Sequence, residues 1–561
     1  MSRPRHASMK AALAVAVAIS FLVTTGVGGT QSASAREGAV PQASTAATYV
    51  PISGAGSSWS ANAIDQWRRN VQQFGMRVNY ASTGSSDGRN QFRSGTVDFA
   101  SSEIPYGLTD GGVVDTPPTR KFAYMPIVAG GTSIMYNLTI GNQRITNLRL
   151  SGDTITRIFT GVITSWDHPA IKADNPGITL PARRIVPVVR SDGSGSTAQL
   201  TSWMASEHRS LWDAYCAKAN RPTPCGQTSN YPVLSGSGFV GQPGSQGVAG
   251  YVAQRANIGT ITYVEYSYAL KSGYPVAKVL NKAGFYVEPT ASNVAVSLLS
   301  ARINNDPNSS AYLTQILTGV YRSTDPRVYP LSSYSYLIVP TAAEGNFTAA
   351  KGATLGDFAY YFLCEGQRQA EALGYSPLPI NLVKAGLEQV RRIPGVQAQS
   401  INISKCNNPT FSSDGSNTLA RNAPQPAACD RRGGTQCGTG TGGAADVPTA
   451  TDNSGSTGGA TDTDSGTETE FDAGTDTGTE NAVDGGSGGI GNDPSSGGTA
   501  ICEIDTGACQ TVAAVPVEID SAASGWTRDN ALMLVALLAL LATVIMPPAI
   551  ARMIRGSRST S

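Results

Sequence analysis

The feature that most constrains this chain is a change of residue pattern near residue 410. Over residues 48–405, short apolar runs alternate with amphipathic stretches, as in proteins that mix strands and helices. Over 411–525 the chain is mainly Gly, Ser, Thr, Asp and Ala, and no Lys or Arg occurs between Arg432 and Arg528. Such a segment buries too little apolar surface to offset the entropy of ordering it. We therefore expect a folded α/β body over 48–405, followed by a disordered acidic linker over 411–525.

The N-terminus has the pattern of a secretory signal peptide. Basic residues precede the apolar run AALAVAVAISFLV, and the small residues Ala33, Ser34 and Ala35 follow it. No cysteine lies near this site, so we expect no lipid anchor there. A structural helix is the alternative interpretation of the apolar run. We expect residues 1–35 to be removed after export.

A second uncharged run lies at the other end of the chain. Residues 531–551, ALMLVALLALLATVIMPPAIA, contain no charge and would reach about 30 Å as a helix, which matches the bilayer core. Arginines follow directly in 552–561, and positive charge favours the cytoplasmic side. We therefore expect a transmembrane helix at 531–551, a cytoplasmic tail at 552–561 and an extracellular body.

Eight cysteines fit an exported chain, because disulfides persist in oxidising compartments. In sequence order they form four successive pairs: Cys216/Cys225, Cys364/Cys406, Cys429/Cys437 and Cys502/Cys509. Four local disulfides are the simplest interpretation, although sequence alone does not fix the connectivity. The sequence has no Cys-x-x-Cys or Cys/His cluster, and its net charge is only +1. We therefore expect no metal, no cofactor and no nucleic-acid partner.

Three Gly/Ser-rich turns each stand between a strand-like run and a helix-like stretch. They are GAGSSW at 54–59, TGSSDG at 83–88 and DGSGST at 192–197. The first N–H groups of a helix lack partners and carry partial positive charge, glycine lets a ligand approach the backbone, and serine adds a hydroxyl donor. Three such turns would surround a small tetrahedral anion if they converged. A single turn of this kind is more often only a helix cap.

The third turn follows the apolar run IVPVVR, which ends in Arg190. A guanidinium at that position would give an anion a bidentate, charge-assisted contact. A surface salt bridge is the alternative role for Arg190 taken alone. Three turns and one such arginine in the same α/β chain together favour anion binding over simple capping.

A hydrolase is a competing interpretation of the second turn. The stretch GSSDG at 84–88 matches G-x-S-x-G, with Ser86 as the nucleophile. That chemistry needs a histidine base. Only His168 and His208 remain after signal cleavage, and both lie in polar contexts. The phosphate-loop pattern G-x-x-x-x-G-K-[ST] does not occur. We therefore expect no enzymatic activity.

An ordered set of stretches resembles the periplasmic phosphate-binding protein family, PstS. In chain order the stretches are GAGSSW, NYASTGSSDG, QFRSGTVDFASSE, LSGDTITRIFTGVITSWDHPAI, RSDGSGST, GSQGVAGYVAQ, YVEYSYA and LGYSPLP. The resemblance covers about residues 50–400. It implies an α/β, type II periplasmic-binding-protein fold, in which two lobes joined by a hinge close over a ligand. One lobe would combine 48–130 with 335–405, and the other would hold 131–334.

The resemblance also implies a ligand and its contacts. The family's ligand is inorganic phosphate, which is passed to an ABC permease. The donors carried over by motif are Ser58, the Trp59 N–H, Ser85, Arg190, Ser194, Gly195 and Ser196. Asp192 would orient the arginine, with turn capping as its alternative role.

Glu103 stands where the family usually has Asp, at the end of VDFASSE. A carboxylate there would accept a hydrogen bond from a protonated phosphate oxygen, whereas sulfate offers no proton at neutral pH and would be repelled. Glu keeps this chemistry but is one methylene longer, and a displacement of about 1 Å matters in a preorganised site. A surface glutamate is the alternative role. Thr262 is a second departure, because the family usually has Gly before YVEY.

These features lead to one expected function and one alternative. We expect an extracellular, membrane-tethered, monomeric protein that captures phosphate for an ABC permease at the same membrane. The alternative is a cell-surface sensory or adhesive protein that reuses the clamp fold. Dependence of phosphate uptake on the protein would distinguish the two.

Overall fold

A computed structural model describes residues 49–110, 113–309, 311–397, 402–412, 414–451, 500–502 and 509–511. The chain divides into two compact units, Met1–Gly459 and Ala460–Ser561. The predicted signal peptide at 1–35, transmembrane helix at 531–551 and tail at 552–561 lie outside the described residues. Across the part of the chain that is described, no helix has the length and apolar character needed to cross a bilayer.

Strands and helices are interspersed along the first unit, as the apolar pattern predicts. Its strands are β1 (Ile52–Gly56), β2 (Val78–Ala81), β3 (Phe99–Ser102), β4 (Thr109–Asp110), β5 (Val113–Val114), β6 (Phe122–Asn137), β7 (Thr139–Ile140), β8 (Gln143–Arg144), β9 (Arg149–Leu150), β10 (Val186–Arg190), β11 (Val240–Gln242), β12 (Thr260–Glu265), β13 (Val276–Leu280), β14 (Tyr286–Val287), β15 (Arg302–Ile303), β16 (Gln315–Ile316) and β17 (Ser332–Pro340). Its α-helices are α1 (Ala61–Asn70), α2 (Ser85–Ser94), α3 (Gly152–Phe159), α4 (Pro169–Asp174), α5 (Gly195–Glu207), α6 (Arg209–Lys218), α7 (Gly244–Val252), α8 (Tyr266–Ser272), α9 (Ala291–Leu298), α10 (Thr318–Tyr321), α11 (Ala349–Leu363), α12 (Ile380–Val390) and α13 (Thr418–Asn422). In the second unit, β18 (Ala500–Cys502) and β19 (Cys509–Thr511) form an antiparallel pair.

One long strand, β6, runs through the middle of the main sheet. The strand order is β11-β10-β12-β6-β17-β3-β1-β2. The first part of β6 pairs antiparallel with β17, and its last part pairs antiparallel with β12. Its sequence, FAYMPIVAGGTSIMYN, is almost entirely apolar or small because the strand is buried along nearly its whole length. Strands β1, β2 and β3 are parallel to one another, as are β10, β11 and β12, so the carboxyl ends within each set point the same way.

The two largest hydrophobic cores among the described residues lie around the two ends of β6. The first includes Trp67 and Phe362, and the second includes Trp166 and Trp212. We call the body around the first core lobe 1 and the body around the second core lobe 2. Helix α9 lies in the range 131–334 that was predicted for the second lobe. Its Val294 nevertheless packs in the core of lobe 1. The two cores agree with the predicted two-lobed α/β fold.

Residues 402–412 and 414–451 pack on the folded body, so the predicted linker over 411–525 is wrong for its first part. The segment has few apolar side chains, but its backbone carbonyls accept hydrogen bonds from the folded body. The buried guanidinium of Arg149 in lobe 2 donates to the carbonyl of Cys429 at 2.9 Å. Composition alone missed this order, because buried polar groups of lobe 2, rather than an apolar stripe in the segment, satisfy its backbone.

Three of the predicted disulfides are present among the described residues. They join Cys216 to Cys225, Cys364 to Cys406 and Cys429 to Cys437. The last of these closes a loop in which Asp430 forms a part-buried ion pair with Lys278 at 2.8 Å, and this contact helps to hold the segment on lobe 2. Cys502 and Cys509 are opposite each other on β18 and β19, and their disulfide stays a prediction.

Candidate anion-binding site

Each of the three predicted turns connects the carboxyl end of a strand to the start of a helix. The turns join β1 to α1, β2 to α2 and β10 to α5. In the second turn, Gly84 has φ 100°, in the left-handed region that favours glycine. In the third turn, Ser194 caps α5 by accepting a hydrogen bond from the Thr197 N–H at 3.3 Å. The predicted strand–turn–helix pattern is therefore confirmed at all three positions.

The three turns meet at the boundary between the lobes. The Gly84 N–H donates to the Gly56 carbonyl at 2.8 Å and joins the first two turns within lobe 1. The Ser86 N–H donates to the Gly193 carbonyl at 3.0 Å and joins the second turn to the third, across the lobes. A Cβ added at Gly84 would lie 2.6 Å from Asp192 Oδ2, so this approach leaves no room for a side chain there. The convergence that anion binding requires is present.

A carboxylate lies where the turns converge. Glu103 follows β3, and the residue is only 2% exposed. Ser57 Oγ lies 2.7 and 2.8 Å from its two carboxylate oxygens, Ser85 Oγ donates to Oε2 at 2.8 Å, and Ser335 Oγ donates to Oε1 at 2.6 Å. We call these three hydroxyls the serine cage. Because Glu103 is buried among them, the alternative of a surface glutamate is wrong.

The electrostatic surroundings of Glu103 disfavour its charged form. Burial raises the pKa of Glu103 above its ordinary value, although the hydrogen bonds of the serine cage and the charge of Arg190 oppose this shift. Neutral hydroxyls stabilise a carboxylate, but here they do not fully replace the water that burial removes. Glu103 is therefore a buried acid whose charge depends on pH over a higher range than that of a surface glutamate.

Arg190 supplies the positive charge of the site. It ends β10 and is 3% exposed, so the alternative of a surface salt bridge does not apply. Its Nε donates to Asp192 Oδ1 at 2.7 Å, and its Nη2 donates to Oδ2. This two-point contact fixes the plane of the guanidinium. Asp192 therefore has the geometry of the orienting residue that the sequence predicted.

The pKa of Asp192 is shifted in the opposite direction from that of Glu103. Burial by itself would raise the pKa of Asp192, but the hydrogen bonds and charge of Arg190 outweigh it and hold the pKa below its ordinary value. The Gly244 N–H adds a further hydrogen bond to Oδ1 at 2.9 Å. Asp192 is therefore ionised at neutral pH, and it forms a stable ion pair with the arginine.

Ser245 links the arginine to the first turn, and sequence analysis did not select it. Arg190 Nη1 donates to Ser245 Oγ at 3.3 Å, and the Ser245 N–H donates to Ser58 Oγ at 2.9 Å. Ser245 lies in the first turn of α7, after β11 and Gly244 with φ 66°. The stretch VGQPGSQG is thus a fourth strand–Gly/Ser–helix turn, and that pattern could have identified it.

The start of α5 approaches the serine cage closely. The Gly195 N–H donates to Ser85 Oγ at 3.1 Å. A Cβ added at Gly195 would lie 1.7 Å from Glu103 Oε2, so a side chain at this position would displace the carboxylate. Ser196 Oγ is buried and has no hydrogen-bond partner within the described residues. These predicted site residues are therefore brought together in one place.

Two of the three cage serines were not predicted. Ser57 belongs to the GAGSSW turn, and its Oγ also accepts a hydrogen bond from the Trp59 N–H at 3.0 Å. That N–H, predicted as a ligand donor, is thus directed at a neighbouring hydroxyl. Ser335 lies on β17, 232 residues from Glu103 in sequence, and beside a β-bulge. No local motif marks Ser335, because SSYSYLIVP is typical of an ordinary buried strand.

The geometry does not provide the hydrolase alternative with a base. Ser86 Oγ donates to Ser229 Oγ at 3.2 Å. His168 caps α4, and His208 follows the end of α5. Within the residues that the structure describes, no hydrogen bond joins either histidine to Ser86.

Fold and site together define the class of protein. A two-lobed α/β body with hydroxyl, backbone and guanidinium donors between its lobes is suited to holding a small anion. Residues 39–365 match the family model of the PBP superfamily domain. The chain belongs to this superfamily of binding proteins.

Curated relatives narrow the class to one family. The phosphate-binding protein PstS of Xylella fastidiosa (strain Temecula1) is 33% identical over 338 residues, which cover 60% of this chain and 83% of the relative. The protein of the same name from Methanocaldococcus jannaschii is 30% identical over 355 residues, covering 60% and 85%. The chain belongs to the PstS family, as its motifs indicated, and this is a family of binding proteins rather than enzymes. A solved phosphate-binding protein from Stenotrophomonas maltophilia is 20% identical, with a TM-score of 0.45, and covers 66% of this chain and 99% of that chain.

Proposed function

We propose that the protein binds inorganic phosphate between its two lobes. The observation that carries this proposal is the meeting of three Gly/Ser turns at the boundary between the lobes, where Arg190 is linked to the first turn through Ser245. Helix starts, glycine backbone and a guanidinium are donors that suit a small tetrahedral anion. The proposed phosphate donors are Ser58, Ser85, Arg190, Ser194, Gly195 and Ser196, with Asp192 orienting the guanidinium. The Trp59 N–H would join them only by giving up its hydrogen bond to Ser57 Oγ.

Ser196 gives independent support. A buried hydroxyl without a partner costs about 1–3 kcal/mol, and Ser196 Oγ is such a group among the described residues. It lies in the first turn of α5, where the unpaired N–H groups favour an anion. An oxygen of bound phosphate would accept a hydrogen bond from the Ser196 hydroxyl.

Glu103 is the proposed source of selectivity. Its carboxylate would accept a hydrogen bond from a protonated phosphate oxygen, whereas sulfate would bring a second unprotonated anion against it. Ser85 Oγ donates to Glu103 at 2.8 Å and accepts from the Gly195 N–H at 3.1 Å. Bound phosphate would therefore share donors with the longer glutamate side chain, and we expect weaker affinity than an aspartate would allow at this position.

Titration calorimetry on the full-length chain, stripped of bound phosphate, tests the binding proposal. We expect heat of binding with phosphate and none with sulfate at neutral pH. Comparable affinity for both anions would contradict the selective role of Glu103. The absence of binding heat with both anions would contradict the phosphate proposal itself.

We further propose that the body lies outside the cell, is tethered to the membrane and delivers phosphate to an ABC permease. The support is the signal-like segment 1–35 and the uncharged run 531–551, which is followed by arginines. A truncation ending before residue 527 should move from the membrane fraction to the medium. Deletion of the gene should reduce phosphate uptake, and the truncated form should restore uptake less well than the full chain. Normal uptake on deletion would instead favour the sensory or adhesive alternative.

A further inference from the structure

A hairpin of lobe 1 reaches lobe 2 beside the anion site. Strands β4 and β5 form this hairpin, and its Asp110 contacts the loop 228–230 of lobe 2. The base of the hairpin is fixed to α2, because Asp115 forms an ion pair with Arg89. Helix α2 begins with Ser85 of the serine cage. The position of the hairpin therefore depends on the same helix that carries one of the proposed phosphate donors.

Several donors of lobe 2 surround the Asp110 carboxylate. Its Oδ1 accepts hydrogen bonds from Arg221 Nη1 at 3.0 Å and from Thr228 Oγ1. Its Oδ2 accepts from the Ser229 N–H and Ser229 Oγ, both at 2.8 Å, and from Asn230 Nδ2 at 3.4 Å. Burial alone would raise the pKa of Asp110, but these hydrogen bonds hold it below its ordinary value. An ionised side chain of one lobe is thus held by the other lobe on both of its oxygens.

The receiving loop is tied to the start of α5. The Ser229 carbonyl accepts from the Ser194 N–H at 2.9 Å, at the residue that caps this helix. The Thr228 N–H donates to Thr201 Oγ1, on the same helix, at 2.9 Å. Arg221 Nη1 also donates to Thr228 Oγ1 at 2.9 Å. The donors that hold Asp110 are therefore fixed to one another and to the helix that supplies Gly195 and Ser196.

We propose that Asp110 is a ligand-retaining latch that lies outside the anion site. It connects α2 to α5, two of the helices that begin at the proposed phosphate position. Bringing these helix starts together around an anion forms the latch, and separating the lobes breaks it. Opening must then break all the hydrogen bonds of the Asp110 carboxylate together. Because this raises the barrier to opening, it slows release of the ligand. This inference rests on the proposed function, because phosphate is taken as the retained ligand.

Stopped-flow release of phosphate from the full-length protein tests the latch. In Asp110→Asn we expect release to be about tenfold faster, with association changed by no more than about twofold, because the charge-assisted bonds form after capture. Arg221→Met should act in the same direction with a smaller effect. Asp153→Asn is the matched control, since that residue pairs with Arg157 within one helix of lobe 2, and its release rate should equal that of the unaltered chain. Release from Asp110→Asn at the unaltered rate would overturn the proposal.

Hydrogen exchange separates a failure of the latch from a failure of the phosphate proposal. The Ser229 N–H donates to Asp110, so the peptide 226–231 reports the latch without any ligand assay. We expect this peptide to be protected in the unaltered protein with phosphate present and to lose protection in Asp110→Ala but not in Asp153→Asn. Equal protection in all three would overturn the latch. If the protein bound no phosphate, the same exchange comparison without ligand would still decide whether Asp110 joins the lobes.

Discussion

The two halves of the proposed site each contain a carboxylate, which is fully buried in lobe 1 and partly buried in lobe 2, and they hold it in different ways. In lobe 2, Asp192 is paired with the guanidinium of Arg190, and its pKa lies below its ordinary value. In lobe 1, Glu103 is held by neutral hydroxyls, and its pKa lies above its ordinary value. The difference has two causes: Asp192 keeps some contact with solvent and is neutralised by a directly bonded cation, whereas Glu103 is fully buried and its hydroxyls, together with the charge of Arg190, offset burial only in part.

This contrast suggests a division of work between the lobes. The lobe 2 half presents a fixed, permanently charged donor, which suits strong but unselective attraction of an anion. The lobe 1 half presents a carboxylate that can accept a hydrogen bond from an anion that carries a proton. Such a group can distinguish a protonated anion such as phosphate from an unprotonated one such as sulfate. Changes in lobe 2 should therefore reduce all anion binding, and changes in lobe 1 should mainly alter which anion binds.

The largest expected effect comes from removing the lobe 2 charge. We predict that Arg190→Met weakens phosphate binding at least about 100-fold, because charge-assisted hydrogen bonds contribute about 1.5–3 kcal/mol each. Calorimetry on the full-length chain measures the loss. Arg157→Met, at an exposed ion pair within one helix, is the control and should bind normally.

Removing the arginine also leaves the partly buried Asp192 carboxylate without its cation, and this alone could repel an anion. The double variant Arg190→Met with Asp192→Asn removes that repulsion. We expect the double variant to recover part of the lost affinity but to remain well below the unaltered chain. Full recovery would show that Arg190 serves only to neutralise Asp192, and that the comparison between the two halves is wrong.

The next effect concerns selectivity and comes from lobe 1. We predict that Glu103→Gln lowers the ratio of phosphate to sulfate affinity by about tenfold or more, because an amide carries no charge and can donate to sulfate. Competition between the two anions measures the ratio. Glu265→Gln is the matched control, since Glu265 is also buried and burial raises its pKa well above the ordinary value, but it lies outside the serine cage. An unchanged ratio of phosphate to sulfate affinity in Glu103→Gln would show that a residue other than Glu103 discriminates between the two anions.

The raised pKa of Glu103 makes a related prediction about pH. As pH falls through a raised pKa, the carboxyl takes up a proton, loses its repulsion and becomes a donor. Sulfate keeps its charge over this range, so sulfate binding to the unaltered protein should strengthen as pH falls below neutral. In Glu103→Gln, sulfate binding should be nearly independent of pH over the same interval. A parallel pH dependence in both proteins would show that another group is responsible.

The parts of the site that sequence could predict are those set by local structure. The three Gly/Ser turns follow from short patterns, because strand ends and helix starts are fixed by neighbouring residues. Arg190 ends the strand before the third turn and Asp192 begins that turn, so their pairing is also local. The two-lobed fold followed from the ordered motifs of the family.

The parts that sequence missed depend on contacts between distant residues. Ser335 reaches Glu103 from β17, 232 residues away, and no periodicity in a buried strand distinguishes one serine from the next. The ordered segment 414–451 was missed for a related reason. Its backbone carbonyls are satisfied by polar groups of lobe 2 such as Arg149, and composition within the segment cannot reveal donors that lie elsewhere in the chain.

The smallest expected effect tests whether the serine cage itself tunes Glu103. Ser335 donates to Glu103 Oε1 at 2.6 Å, and this hydrogen bond lowers the pKa of Glu103 against the effect of burial. We predict that Ser335→Ala raises that pKa further and lowers the phosphate-to-sulfate ratio by about threefold, because a larger share of the carboxyl is then protonated and no longer repels sulfate. Competition at neutral pH measures the ratio.

Ser333 provides a control on the same strand. It is also buried, but its Oγ has no hydrogen-bond partner within the described residues. Ser333→Ala removes the same atom from the same strand without removing a bond to Glu103, so its selectivity should match the unaltered chain. If both variants lost selectivity equally, packing of β17 rather than the hydroxyl would be the cause. If only Ser335→Ala shifted the pH at which sulfate binding strengthens, the neutral hydroxyls would be shown to oppose burial at Glu103, as Arg190 does at Asp192.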